Sequence, residues 1–81
     1  MLVTVRLFAR LREIAGATEL RIEVPEGATA GDAWTALSDR YPELRGYAGS
    51  VSCAVNEDYT RMTAAVQDGD EIAFLPPVSG G

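Results

Sequence analysis

The spacing of hydrophobic and polar positions changes several times along the chain. In LVTVRLF, residues 2–8, Val3, Val5 and Leu7 alternate with Leu2, Thr4, Arg6 and Phe8, the two-residue period of a strand with two distinct faces. ARLREIAG then spaces Leu11, Ile14 and Ala15 at helical intervals and stops at Gly16, which predicts a short helical turn before the chain reverses. Alternation returns in LRIEV, where Leu20, Ile22 and Val24 are interleaved with Arg21 and Glu23 until Pro25 ends the run. The two strands are expected to pair antiparallel.

Beyond them the period becomes helical. Thr29 is a good N-cap with Asp32 three positions on, a variant of the capping box, and Ala30, Ala33, Trp34, Leu37 and Tyr41 mark one face. Pro42 limits this helix at about Tyr41. An amphipathic helix must cover something apolar, and the sheet is the only candidate, so Trp34 is expected to anchor the core. After a loop containing Gly46 and Gly49, VSCAV reads as a strand with Val51, Cys53 and Val55 on one face, and Asn56-Glu57-Asp58 as a turn. Tyr59 to Val66 is expected to hold a short edge strand or turn. Asp68-Gly69-Asp70 turns the chain into a last strand, Glu71 to Leu75, which Pro76 stops.

One main helix across a mixed sheet of four to five strands is an α+β arrangement of the β-grasp, or ubiquitin-like, kind. It occupies residues 1–75, and residues 76–81 form a flexible, extended C-terminal tail ending in Gly-Gly. A chain of 81 residues supports one core and no more.

Charge narrows the partners. Twelve acidic against seven basic residues give a net charge of -5, the wrong sign for nucleic acid, and favour a basic partner surface. All seven basic residues are arginines, so no side-chain amine is present. Apolar runs fall far short of the ~20 residues of a membrane helix, and the N-terminus lacks a signal-peptide layout; no membrane partner and a cytoplasmic location are expected. The single Cys53 cannot form an internal disulfide and reads as an inert buried thiol. Without histidine or a second thiol no zinc or iron–sulfur cage is expected, and Asp68, Asp70 and Glu71 lack the spacing of a calcium loop. No bound metal or cofactor is therefore anticipated.

Catalytic pairings are equally scarce. Nucleophilic catalysis usually needs an activated Ser, Cys or Lys beside a base, and histidine and lysine are both missing. PEGATAG, around Gly27 and Gly31, lacks the lysine of a phosphate-binding loop. The chain is not expected to be catalytic alone.

What remains is the ending FLPPVSGG. Pro76 and Pro77 fix φ and hold the residue before them extended, so the chain should leave the sheet as a stiff arm. Six residues at ~3.3 Å each reach about 20 Å, enough to enter a partner's buried site. Gly80 and Gly81 lack Cβ atoms and can pass a channel too narrow for other residues. The group such a tail delivers is its α-carboxylate. A carboxylate is a poor electrophile until it is joined to AMP as a mixed anhydride, which a sulfur nucleophile can convert to a thiocarboxylate. A bare Ser-Gly-Gly end is otherwise an ordinary loose terminus; the strand and double proline before it argue against that reading.

Three stretches carry a family resemblance: FARLREIAG at Phe8 to Gly16, AVN at Ala54 to Asn56, and DGDEIAFLPPVSGG at Asp68 to Gly81. The chain resembles, over essentially its whole length, the MoaD-like group of ubiquitin-fold sulfur carriers that serve as small subunits of molybdopterin synthase. The resemblance implies that Gly81 is adenylated by a ubiquitin-activating-type adenylyltransferase that uses ATP. A sulfur donor such as a cysteine desulfurase or rhodanese-like protein would supply the sulfur. Gly81 thiocarboxylate would then enter the large subunit of a heterotetramer, where the main catalytic residues lie.

Partner contacts are expected from Pro76, Pro77, Val78, Ser79 and Gly80 along the tail. An apolar patch of Phe8, Tyr59 and Leu75 beside it would suit docking, although Phe8 could equally close an edge of the core. Arg6, Arg10, Arg12 and Glu13 read as surface residues. Three alternatives share parts of this pattern: a sulfur carrier for thiamine or tRNA thiolation, a protein-conjugating modifier, and a non-covalent β-grasp interaction module.

Overall fold

The alternation in the first segment produces strand β1, Leu2–Leu7, in which Val3, Val5 and Leu7 are fully buried while Thr4 and Arg6 face outward. The computed structural model describes residues 1–77. Helix α1 (Ala9–Ala15) follows and closes at Gly16, whose left-handed backbone (φ 72°) lets its N–H reach Arg12 O at 2.8 Å. Strand β2 is Glu19–Glu23 and helix α2 is Ala30–Arg40; strands β3, β4 and β5 are Ser52–Val55, Asp58–Thr60 and Glu71–Leu75. No helix among the described residues is long and apolar enough to cross a membrane.

Five strands form one mixed sheet in the order β2-β1-β5-β3-β4. β1 and β5 run parallel, registered from Thr4 opposite Glu71 to Leu7 opposite Phe74, and the other neighbours are antiparallel. The last strand in sequence is thus the central strand of the sheet. Parallel strands need covering on the face they bury, and α2 supplies the cover. Its capping box forms as the sequence predicts: Asp32 N–H donates to Thr29 Oγ1 at 3.1 Å, and Thr29 N–H donates to Asp32 Oδ2 at 2.9 Å. Ala30, Ala33, Trp34 and Leu37 are buried on its inner face, and α2 ends with Tyr41 as its C-cap, before Pro42.

Four details differ from the sequence-based expectation or add to it. The first strand ends at Leu7 rather than residue 8, because Phe8 keeps an extended backbone (φ -126°, ψ 153°) only as the N-cap of α1. Ser38 on α2 is buried, with no hydrogen-bond partner for its hydroxyl among the described residues.

The expected loop after α2 contains a 3-10 helix, Pro42–Tyr47, entered through proline and pinned by the buried Leu44. Its short i, i+3 repeat leaves only a faint pattern in a sequence. Finally, β3 begins at Ser52, so Val51 only flanks it, and both Cys53 and Ala54 are buried. Cys53 faces the core. Ala54 lies on the other face, small and flanked by Ala73 of β5 and Tyr59 of β4.

The turns also contribute. Asn56 and Glu57 both take positive φ (50° and 74°), the backbone of a tight two-residue hairpin between β3 and β4. In the turn before β5, Asp68 accepts from Leu2 N–H at 2.7 Å, and Asp70 accepts from Gln67 N–H at 2.8 Å and from the Asn56 amide at 3.0 Å. These acids therefore act as turn-forming acceptors, and Gly69 supplies the required φ of 86°.

Candidate functional site

Everything at the tail follows from the alternation of β5. Phe74 points into the core and meets Trp34 edge to face, with ring centroids 5.0 Å apart. One residue later Leu75 points to the opposite face and is only partly covered. Pro76, half-buried, and Pro77, exposed, then take the chain out of the sheet.

Phe8 arrives at the same place from β1. It lies one residue past the registered pair Leu7–Phe74, beside Leu75, and is 38% exposed. Ala9 takes a positive φ of 50°, an uncommon conformation for a residue with a Cβ, at the step where Phe8 leaves the strand for α1.

Phe8, Leu75, Pro76 and Pro77 together with Ala9, Arg10 and Tyr47 line an open, mainly apolar groove of about 620 Å³ at the root of the tail. The guanidinium of Arg10 pairs with Glu13 at 3.2 Å, and Glu13 and then Tyr47 push its pKa upward, so it stays charged.

Sequence reasoning missed three groove residues. Ala9 and Arg10 sit at the start of α1, whose position depends on where β1 ends. Tyr47 belongs to the unforeseen 3-10 helix. Leu44 and Tyr47, three residues apart, are the faint signal that could have found it.

Tyr59 stands apart from this groove. It lies on the edge strand β4, 76% exposed, opposite Ala54, which in turn is opposite Ala73. It therefore shares a sheet face with Leu75 but is separated from it by β3, and it does not line the groove that Phe8 and Leu75 share. Val78, Ser79, Gly80 and Gly81, the remaining expected site residues, lie outside the described residues.

Cys53 is 2% exposed, its Sγ donates to Thr60 O at 3.5 Å, and burial pushes the thiol pKa up. That is the environment of an inert thiol, not a nucleophile.

A mixed five-stranded sheet with α2 packed across it, whose central strand runs straight into Pro76 and Pro77 beside an apolar groove, defines a ubiquitin-like β-grasp protein. Residues 5–81 match the ThiS family, and the chain belongs to it. It is 40% identical over 79 residues to the molybdopterin synthase sulfur carrier subunit of Arabidopsis thaliana, covering 98% of this chain and 82% of that protein. Among solved structures it is similar to SAMP1 of Haloferax volcanii, with a TM-score of 0.88 and 35% identity over 100% of both chains. It is also similar to a chain of the complex of subunits 1 and 2 of the molybdopterin-converting factor from Helicobacter pylori, with a TM-score of 0.69 and 26% identity over 100% of both chains.

Proposed function

We propose that this chain is the sulfur-carrying small subunit of a molybdopterin synthase, working in the cytoplasm. The observation that carries the reading is the match to the Arabidopsis sulfur carrier subunit, 40% identical over 98% of this chain. The chain itself supplies presentation: a rigid central strand, a stiff exit and a bare terminus.

In this reading an adenylyltransferase of the ubiquitin-activating type binds the β-grasp surface. A Gly81 carboxylate oxygen attacks the α-phosphorus of ATP, and pyrophosphate leaves. The persulfide of a cysteine desulfurase or rhodanese-like donor then attacks the activated carbonyl carbon and AMP departs, giving an acyl disulfide; a second thiol attacks the donor's sulfur of that bond, forming a disulfide with the donor and releasing the terminus as a thiocarboxylate. Phe8, Leu75, Pro76 and Pro77 seat the large subunit at the groove. Val78 to Gly80 thread the tail toward its catalytic residues, which turn the sulfur over to a pyranopterin precursor. The complex of subunits 1 and 2 named for the Helicobacter protein supports a large-subunit partner of this kind. Tyr59 contributes a separate contact at the β4 edge.

The similarity to SAMP1 favours a second reading, a protein modifier that shares the same first activation step. The two diverge only at the acceptor. The purified chain is incubated with ATP, a sulfur source and its activating enzyme, and its intact mass is measured; replacement of one terminal oxygen by sulfur is expected. An unchanged mass, under conditions that load a known carrier, would rule out the sulfur-carrier reading. The thiocarboxylated chain is then mixed with the large subunit and pyranopterin precursor, where dithiolene formation is expected and failure leaves the modifier reading.

A further inference from the structure

β2 lies at one end of the sheet and pairs only with β1, so its other side is an open edge. Two bonds flanking the strand fix which groups face that edge: Leu7 N–H donates to Thr18 O and Val24 N–H donates to Met1 O, both at 2.9 Å. Even-numbered residues therefore bond to β1, and Glu19, Arg21 and Glu23 turn their N–H and C=O groups outward. No hydrogen bond among the described residues uses those groups. The edge at the other end, β4, is only three residues long. β2 has five, with an unbroken register and no proline inside it to blunt the edge.

The side chains along β2 are complementary to their own reversal. Glu19, Arg21 and Glu23 are exposed on the face away from α2, and none has an ion-pair partner among the described residues. Leu20, Ile22 and Val24 point to the α2 side. For the outward groups to bond, a second copy running antiparallel must set odd residues against odd. Centred on Arg21, it would place Arg21 against Arg21 and Glu19 against Glu23, like charges throughout. Centred on Leu20, it would pair Arg21 with Glu19 but put Ile22 against Thr18 and leave Val24 unmatched. Centred on Ile22, it sets Arg21 against Glu23 on both sides of the axis, Leu20 against Val24, and Ile22 against itself. Each Arg21–Glu23 pair then exchanges both backbone hydrogen bonds, and Pro25, which has no N–H, ends the pairing.

We infer that a second copy of this chain pairs along β2 in the register centred on Ile22, joining two five-stranded sheets into one. With a single short strand on each side, the dimer is weak, with a Kd on the order of 0.1 mM. β1 separates β2 from β5, and no residue of β2 lines the groove. The two-fold axis sends the two copies of β5 in opposite directions, so the exits at Pro76 leave from opposite ends of the joined sheet. The inference does not depend on the chemistry assigned to Gly81.

Sedimentation of the full chain from ~10 µM to ~1 mM tests the pairing. The mass is expected to rise from 8.6 kDa toward twice that value, and the Arg21 and Glu23 amides to exchange with deuterium more slowly as the dimer fills. Arg21→Glu should raise Kd about tenfold, because attraction becomes repulsion on both sides of the axis. Adding Glu23→Arg restores the pairs with their signs exchanged and should bring Kd back to within about threefold of wild type. Adding Glu19→Arg to Arg21→Glu instead should give no rescue. All three positions are exposed, and melting curves check that each variant folds. Should a variant fail to fold, the concentration dependence of exchange at Arg21 and Glu23 in the wild-type chain decides alone. A chain that stays monomeric at ~1 mM, a dimer indifferent to Arg21→Glu, or rescue by Glu19→Arg in place of Glu23→Arg overturns the inference.

Discussion

Trp34 of α2 and Phe74 of β5 meet edge to face with ring centroids 5.0 Å apart and planes inclined at 61°. This contact joins the one long helix to the central strand immediately before the tail. It fixes where Leu75 emerges and hence where the tail begins. Phe74→Ala should cost about 3–5 kcal/mol, a large part of the stability of so small a domain. Denaturant unfolding checks this, and a loss below about 1 kcal/mol would show that the pair is not a core anchor.

Deleting Gly81 should abolish sulfur loading yet leave the thermal midpoint within about 2–4 °C, since surface changes away from the core stay within about ±0.5 kcal/mol. Gly80→Val should load poorly or fail to transfer, because a β-branched side chain cannot follow where glycine passes. Mass spectrometry of the loaded chain and a melting curve decide the matter. A deletion that unfolds the protein would contradict the division between domain and tail.

Groove and edge contacts separate by mutation. Leu75→Asp or Phe8→Asp puts a charge into an apolar contact and should weaken binding of the large subunit by about 2 kcal/mol or more, roughly thirtyfold in Kd. Tyr59→Ala should cost less, because Tyr59 is off the groove on the β4 edge. Titration calorimetry ranks the three, and a dominant Tyr59 effect would relocate the interface to the sheet edge.

The Asn56-Glu57 hairpin holds Glu57 at φ 74°. A residue with a Cβ is penalised there by about 1–2 kcal/mol, partly offset in glycine by unfolded-chain entropy. Glu57→Gly should therefore stabilise the protein by about 0.5–1 kcal/mol, raising Tm by several degrees. A lower Tm would mean that the Glu57 side chain makes a compensating contact.

Burial raises the Cys53 thiol above its ordinary value of 9.0. The unfolded chain therefore releases this proton first. Stability should be insensitive to this group below about pH 8 and fall as pH rises beyond 9, over the window between the unfolded and folded values. Cys53→Ala should flatten that alkaline slope and leave sulfur loading intact. Denaturation midpoints across the alkaline range test the first point, and the terminal mass shift tests the second.

Local patterning carried much of this fold. The period-two runs around Val3 to Leu7, Leu20 to Val24 and Ile72 to Phe74, the Thr29–Asp32 box and the stop at Pro42 are each decided by neighbours within a few residues, so a linear reading finds them. The tail motif is also local, because proline and glycine impose their backbone preferences wherever they stand. Tertiary structure decided the rest. β5 becomes central only through parallel pairing with β1, across more than sixty residues of sequence, and no local pattern encodes that choice. That pairing sets Phe8 beside Leu75, the antiparallel pairings of β3 with β5 and β4 leave Tyr59 across β3, and a 3-10 helix with almost no periodicity brings Tyr47 to the groove. The sequence thus determined the elements and the proline and glycine ending, while long-range strand order, set by which apolar faces could be buried together, decided which side chains surround the exit at Leu75 to Pro77.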